Sequence, residues 1–195
     1  MSDMVARSET IWAYQFRVVL LGDSTVGKSA LLRRFTDGCF LEVSDPTVGV
    51  DFYSRLIEIS PGTRIKLQLW DTAGQERFRQ SFLHVVTWAE EARLHVAPRH
   101  VSFALVGQKC DLEEHRQVPT EEASNFARLH KMPFIEASAK NGKNVEKSFV
   151  MLTELIYRLI QSGDIIMDEQ WDGIKCGLVP KPLSLDEDEN KSCCA

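Results

Sequence analysis

Residues 22–29 read GDSTVGKS, the pattern G-x-x-x-x-G-K-S of a phosphate-binding loop. An apolar run, Phe16–Leu21, precedes it, and a helix-like stretch, Ala30–Phe35, follows. That strand–loop–helix setting gives the motif its chemistry. The glycines let successive backbone N–H groups converge on phosphate oxygens, and the helix N-terminus adds the positive end of its dipole. Lys28 can reach terminal phosphates, and the Ser29 hydroxyl can ligate Mg²⁺.

Outward from this loop the chain alternates strands and helices. FRVVLL at 16–21 has the continuous apolar character of a buried parallel strand. Lys28–Thr36 reads as a helix, and Val48–Ile59 and Arg64–Trp70 as an antiparallel pair joined by the turn Ser60-Pro61-Gly62-Thr63. Helical spacing covers Ser81–Val96, and Val101–Gly107 reads as a buried strand. Glu121–His130 follows as a helix with Thr120 as N-cap, then a short strand at Pro133–Glu136. Val145, Phe149, Leu152, Ile156, Leu159 and Ile160 mark a long amphipathic helix. Beyond Ser162 the periodicity fades, and the polar, acidic stretch 184–192 reads as disordered. The expected fold is α/β, a mostly parallel sheet with helices on both faces. The expected organisation is one domain over 14–162 and a tail over 163–195.

Composition sets bounds. A chain of 195 residues holds one sizeable core. A net charge of −5 argues against non-specific nucleic-acid binding. No apolar run reaches the ~20 residues of a membrane span, and the N-terminus does not read as a signal peptide. Five cysteines in that setting suggest reduced thiols. Cys39, Cys110 and Cys176 read as ordinary buried or surface thiols.

Further motifs fall where strands end. Asp71 heads DTAGQ after the strand KLQLW, where a carboxylate facing the phosphate loop can hold Mg²⁺. Gly74 permits close backbone approach to a γ-phosphate, and the neutral amide of Gln75 can orient an attacking water. Thr47 can complete the metal shell. Asp111, in GQKCDL, can accept two hydrogen bonds from guanine N1 and N2, which adenine does not donate; the Lys109 stem can lie along the base. The Ala139 N–H, in Ser138-Ala139-Lys140, can meet guanine O6.

Together these residues resemble a small GTPase of the Rab family over about residues 14–162 and at the C-terminus, with VGVDF at 48–52 and WDTAGQERF at 70–78 as the specific signatures. The resemblance implies a P-loop NTPase fold and a GDP/GTP switch with Mg²⁺ that recruits effectors to membranes in vesicle trafficking. By the same likeness, Gly22, Ser24, Thr25, Val26, Gly27, Lys28, Ser29 and Ala30 form the phosphate site. Ser29, Thr47 and Asp71 hold the metal, and Gln75 and Lys28 are catalytic. Phe40 packs on the guanine edge, and Gln108, Lys109, Asp111, Ser138, Ala139 and Lys140 surround the base. Phe52 and Trp70 match two of three aromatics that effectors read. Cys193 and Cys194 resemble a doubly geranylgeranylated ending. That ending implies escort and transferase machinery, exchange and activating factors, and a lipid anchor on the cytoplasmic face of a membrane with a cytosolic pool.

Two departures stand out. Gln108 replaces the Asn that ties the base loop to the phosphate loop in the family; Gln can form similar bonds from a longer stem. More seriously, only 33 positions separate Gln75 from Gln108, whereas family members carry roughly twenty more, about one strand and a helical connection. After Arg79 the sequence passes directly into QSFLHVVTWAEEA, which resembles the start of the family's third helix. The missing strand is one that lies between the phosphate-loop strand and Val101–Gly107. Either the sheet closes, moving the base loop by one strand spacing of ~4.8 Å, or a gap remains with unpaired backbone and a hole in the core. The expected function is a Rab-type GTP hydrolase. The alternative is a shortened, nucleotide-binding-defective form acting as a non-catalytic interaction module. A phosphate-loop ATPase or small-molecule kinase fits GDSTVGKS but not Lys109, Asp111 and Ser138-Ala139-Lys140.

Overall fold

Tyr14–Leu20 forms the first strand, β1, and its alternation puts Phe16 and Val18 in the core while Arg17 and Val19 face away. The structure, a computed structural model, describes residues 12–42, 47–74, 81–168 and 170–177. Lys28–Asp37 is α1, Val50–Ser60 is β2 and Thr63–Thr72 is β3. A 3₁₀ turn at Ser81–His84 leads into α2, Val85–Val96. Leu105–Gly107 is β4, Thr120–Leu129 is α3, Phe134–Glu136 is β5 and Val145–Gln161 is α4. A final strand, β6, covers Ile174–Cys176.

The strands form two sheets, ordered β2-β3-β1-β6 and β4-β5. β2 and β3 are an antiparallel hairpin, and β1 runs parallel to β3 from Tyr14↔Ile65 to Leu20↔Asp71. Hence the sheet does not close: β1 and β4 are not paired. Of the two outcomes open to a sheet lacking its central strand, the gap is the one adopted. The vacated place is filled only at one end, by β6, which the fading periodicity after Ser162 did not reveal. β6 pairs antiparallel with β1 at Tyr14↔Cys176, Gln15↔Lys175 and Phe16↔Ile174. Past it, a cavity of about 670 Å³ lies between the two sheets, lined among others by Val18, Leu20, Trp88, Leu105, Phe134 and Leu152.

The gap also shortens β4. The sequence expects a strand over Val101–Gly107, but only Leu105–Gly107 pairs, and with β5 alone. A strand with one neighbour has half the backbone partners to hold it extended. The core divides as well. α1 and α4 cover one face of β1 and β3 with Phe16, Leu32, Phe35, Leu67, Leu69 and Phe149, and the Phe35 and Phe149 rings stack at 4.0 Å. Ala89, Ala127 and Met132 form a second cluster with Phe103, Leu105 and Phe134 on the β4–β5 side. One smaller correction concerns Thr120. It is the first helical residue of α3 and caps nothing; its hydroxyl donates to Glu136 at 2.9 Å.

Backbone groups alternate along a strand, so Arg17, whose N–H donates to Gly173 O at 2.8 Å, and Val19 point to the same edge of β1. Arg17 meets the chain leading into β6; Val19 meets the cavity. Hydrogen exchange monitored by NMR is expected to show the Arg17 amide protected at least tenfold more than that of Val19. Equal protection would mean that the gap closes in solution.

Candidate functional site

The loop between β1 and α1 curls through left-handed conformations at Thr25 (φ 64°) and Gly27 (φ 101°). No side chain caps α1, and no acid stands in its first turn. Its first amides and the positive end of its dipole are therefore offered to an anion. Lys28 Nζ bonds the carbonyls of Gly22 and Asp23 at 2.7 and 2.8 Å, which holds the ammonium over the loop. Burial lowers the Lys28 pKa, opposed by the charges of Asp71 and Asp23.

Three side chains converge from separate elements at the mouth of this loop. Ser29 Oγ on α1 lies 2.7 Å from Thr47 Oγ1, which is 3.5 Å from Asp71 Oδ2 at the end of β3. Asp71 is fully buried, and its Oδ1 has no hydrogen-bond partner among the described residues. An unsatisfied buried carboxylate oxygen beside two hydroxyls is an all-oxygen set suited to Mg²⁺. The Asp23 carboxylate, 1% exposed, is gripped from the other side by His84 Nδ1 at 2.9 Å and Trp88 Nε1 at 3.1 Å. Sequence reading missed that clamp; the four-residue spacing of His84 and Trp88 puts them on one helical face, but nothing local says what the face meets.

Gly74 shows how close the chain after β3 comes. A Cβ there would lie 2.3 Å from Ser24 N and Cα, so only glycine allows the approach. Gln75, its neighbour, lies outside the described residues, as do Cys193 and Cys194.

The base-site residues also gather beside the phosphate loop, despite the gap. Lys109 (φ 64°) reaches across and donates from Nζ to Thr25 O at 2.7 Å. The tie expected of Gln108 is not made by Gln108. Its Oε1 accepts the adjacent Lys109 N–H at 3.3 Å, and its buried Nε2 has no partner among the described residues. The longer stem folds back on its own loop. Ser138, fully buried, donates from Oγ to Asp111 Oδ1 at 2.5 Å, which fixes one carboxylate oxygen. Ala139 is buried beside it, and Lys140 is exposed, 4.0 Å from Glu42. Phe40 is half-buried on the loop after α1. A further brace escaped the sequence. Arg116 bonds both oxygens of Glu113 at 2.8 Å and both of Glu136 at 2.6 and 3.2 Å, joining the base loop to the end of β5. On the sheet's other face the Phe52 ring packs tilted at 56° against Trp70, centroids 3.8 Å apart, and stays largely exposed, next to exposed Val48 and Val50.

The Ras family profile matches residues 17–80 and 79–158, two pieces that meet where the sequence lacks its block. The chain is 51% identical to Ras-related protein Rab-39A of Mus musculus over 209 positions, covering 94% of this chain and 96% of that one. It is 50% identical to the Homo sapiens Rab-39A with the same coverage. It is 45% identical to Ras-related protein rab-39 of Caenorhabditis elegans over 194 positions, covering 87% and 85%. The 209 aligned positions exceed the 195 residues present, so the mammalian relatives carry residues that this chain lacks.

Two outcomes follow from the geometry. Gly74→Ala is expected to weaken phosphate binding at least tenfold with the fold retained, read by titration with a fluorescent nucleotide. Arg116 lowers the Glu136 pKa, so Glu136 supports the fold above the usual carboxylate range. That support is lost only as pH falls through the lowered value. In Arg116→Ala the acid limb of a urea-stability series is expected to move up towards ordinary glutamate pH; an unmoved limb would remove the brace from the account.

Proposed function

Because the chain belongs to the Rab branch of the Ras family of small GTPases, whose members bind and hydrolyse GTP, we propose that this shortened chain itself binds guanine nucleotide and cycles between GDP and GTP. The carrying observation is the Lys109–Thr25 bond, which keeps base loop and phosphate loop together across the vacated strand. Asp111, positioned by Ser138, accepts from guanine N1 and N2. The Ala139 N–H meets O6, Lys140 borders the base, Phe40 packs on its edge, and Gln108 supports the loop. Backbone donors from Gly22 to Ala30 and the Lys28 ammonium neutralise the phosphates.

Ser29, Thr47 and Asp71 would hold Mg²⁺, which spreads the charge of the terminal phosphates. Gln75 orients the attacking water, and turnover is slow until an activating factor raises it by ~10³–10⁵. The domain over 14–162 carries this chemistry, and the tail over 163–195 carries Cys193 and Cys194 as lipid acceptors. Two isoprenoid chains suffice for stable anchoring to a membrane's cytoplasmic face, with a cytosolic pool handled by escort and transferase machinery. Phe52, Trp70 and Val50 offer effectors an apolar patch.

A second reading is favoured by one observation, the cavity of about 670 Å³ that runs between the two sheets and on to the phosphate loop at Gly22, Thr25 and Lys28. On it, the chain keeps its recognition surfaces but holds nucleotide too weakly to cycle, and acts by occupying escort or exchange partners.

Asp111→Asn separates the readings. The amide donates where the carboxylate accepted, so guanine affinity is expected to fall at least 100-fold, with xanthine nucleotide binding recovered. Lys28→Asn should abolish turnover in a folded sample. Escort-factor capture with no saturable guanine-nucleotide binding by the parent chain would favour the second reading.

A further inference from the structure

We infer that residues 164–168 and 170–177 form a strap that stands in for the absent strand along one end of β1, turning the start of the tail into part of the sheet. The segment leaves α4 through Ile165, only 5% exposed, and returns to lay Ile174, 6% exposed, into the main core. Trp171 and Met167 pack on the same cluster. Between these anchors it is pinned to both sides of the gap. Asp168 takes two bonds from Arg99, beyond α2, at 2.9 and 3.1 Å, and Asp172 faces Arg17 on β1 at 3.7 Å.

The backbone fit is specific. Gly173 O accepts the Arg17 N–H, and the Gly177 N–H donates to Ala13 O, both at 2.8 Å, so the pairing extends beyond β6 at each end. A Cβ on Gly177 would lie 1.7 Å from the Trp12 carbonyl oxygen, and one on Gly173 would lie 2.3 Å from the Trp171 ring. Glycine at both positions is what lets the strap seat.

The strap is also the part of the sheet most easily released. Its ion pairs are surface pairs, which hold weakly, and its strand is three residues long. Release would extend the open edge of β1 from Val19 back to Ala13 and expose Ile174 and Trp171. It would also free the 15 residues from Gly163 to Gly177, adding about 50 Å to the fully extended reach of the chain that follows. A pull on the C-terminus therefore acts on the sheet edge. This behaviour does not depend on nucleotide binding.

The register supplies the test. Tyr14 and Cys176 are a non-hydrogen-bonded antiparallel pair, because the bonded pairs are Ala13–Gly177 and Arg17–Gly173. Such pairs bring Cβ atoms within disulfide reach. In full-length Tyr14→Cys, mild oxidation followed by proteolysis and mass mapping is expected to give a 14–176 link as the main product, lost when oxidation is done in urea. A mixture without that link would overturn the proposal. Should Tyr14→Cys fail to fold, full-length Arg99→Ala and Gly177→Ala provide the second reading by hydrogen exchange. The Arg17 amide is expected to exchange at least tenfold faster in both while the Leu67 and Leu69 amides stay unchanged. No change at Arg17, or equal acceleration everywhere, would contradict a strap that opens on its own.

Discussion

β1 has two edges, and only one is filled along its whole length. β3 pairs with it from Tyr14 to Leu20, while β6 covers the other edge only at Tyr14–Phe16. Every buried backbone donor and acceptor needs a partner, so the loss of one neighbour spreads through the sheet. β4 shrinks to three residues, the core divides into two clusters, and a cavity remains between them. The other features of the fold answer this vacancy.

The phosphate half of the site lies on the intact side of the vacancy. β1, α1, β2 and β3 form one packed unit, and Ser29, Thr47, Lys28 and Asp71 come from it. The base half lies on the far side, on loops after β4 and β5. Between the loops the join is polar, Lys109 reaching Thr25, while Val106 of β4 and Ala137 after β5 reach the main core. His84 and Trp88 hold Asp23, and Arg116 locks the base loop to β5 within the base half. Directional bonds between loops replace the strand-to-strand bonds that would otherwise fix this distance. Each is individually modest, ~0.5–1.5 kcal/mol, rising to ~1.5–3 where a charge takes part. A site held this way keeps its shape with less reserve against strain.

Much of this was legible in the chain. GDSTVGKS places the phosphate loop because its glycines and lysine serve one local geometry, and the alternation in β1 and β3 marks their buried faces. The missing block was legible as a spacing, and the two-piece family match meets at the same point. Illegible were contacts made across long separations. Asp23 occupies a variable place in the motif, and its partners lie 61 and 65 residues away. β6 is three residues in a polar stretch, and it is a strand only because β1 offers an empty edge. For the same reason β4 fell short of the strand its apolar run suggested. Gln108 followed local geometry and bonded its own neighbour, leaving the bridge to Lys109.

The central claim is that the nucleotide site survives the missing strand. The direct measurement is to purify the full chain with Mg²⁺ present, denature it, and quantify released guanine nucleotide per mole of protein. A value near one GDP or GTP per chain is expected, since the two halves of the site are still joined at Lys109 and Thr25. A folded, soluble protein that releases none would contradict the account and leave the chain as an interaction module.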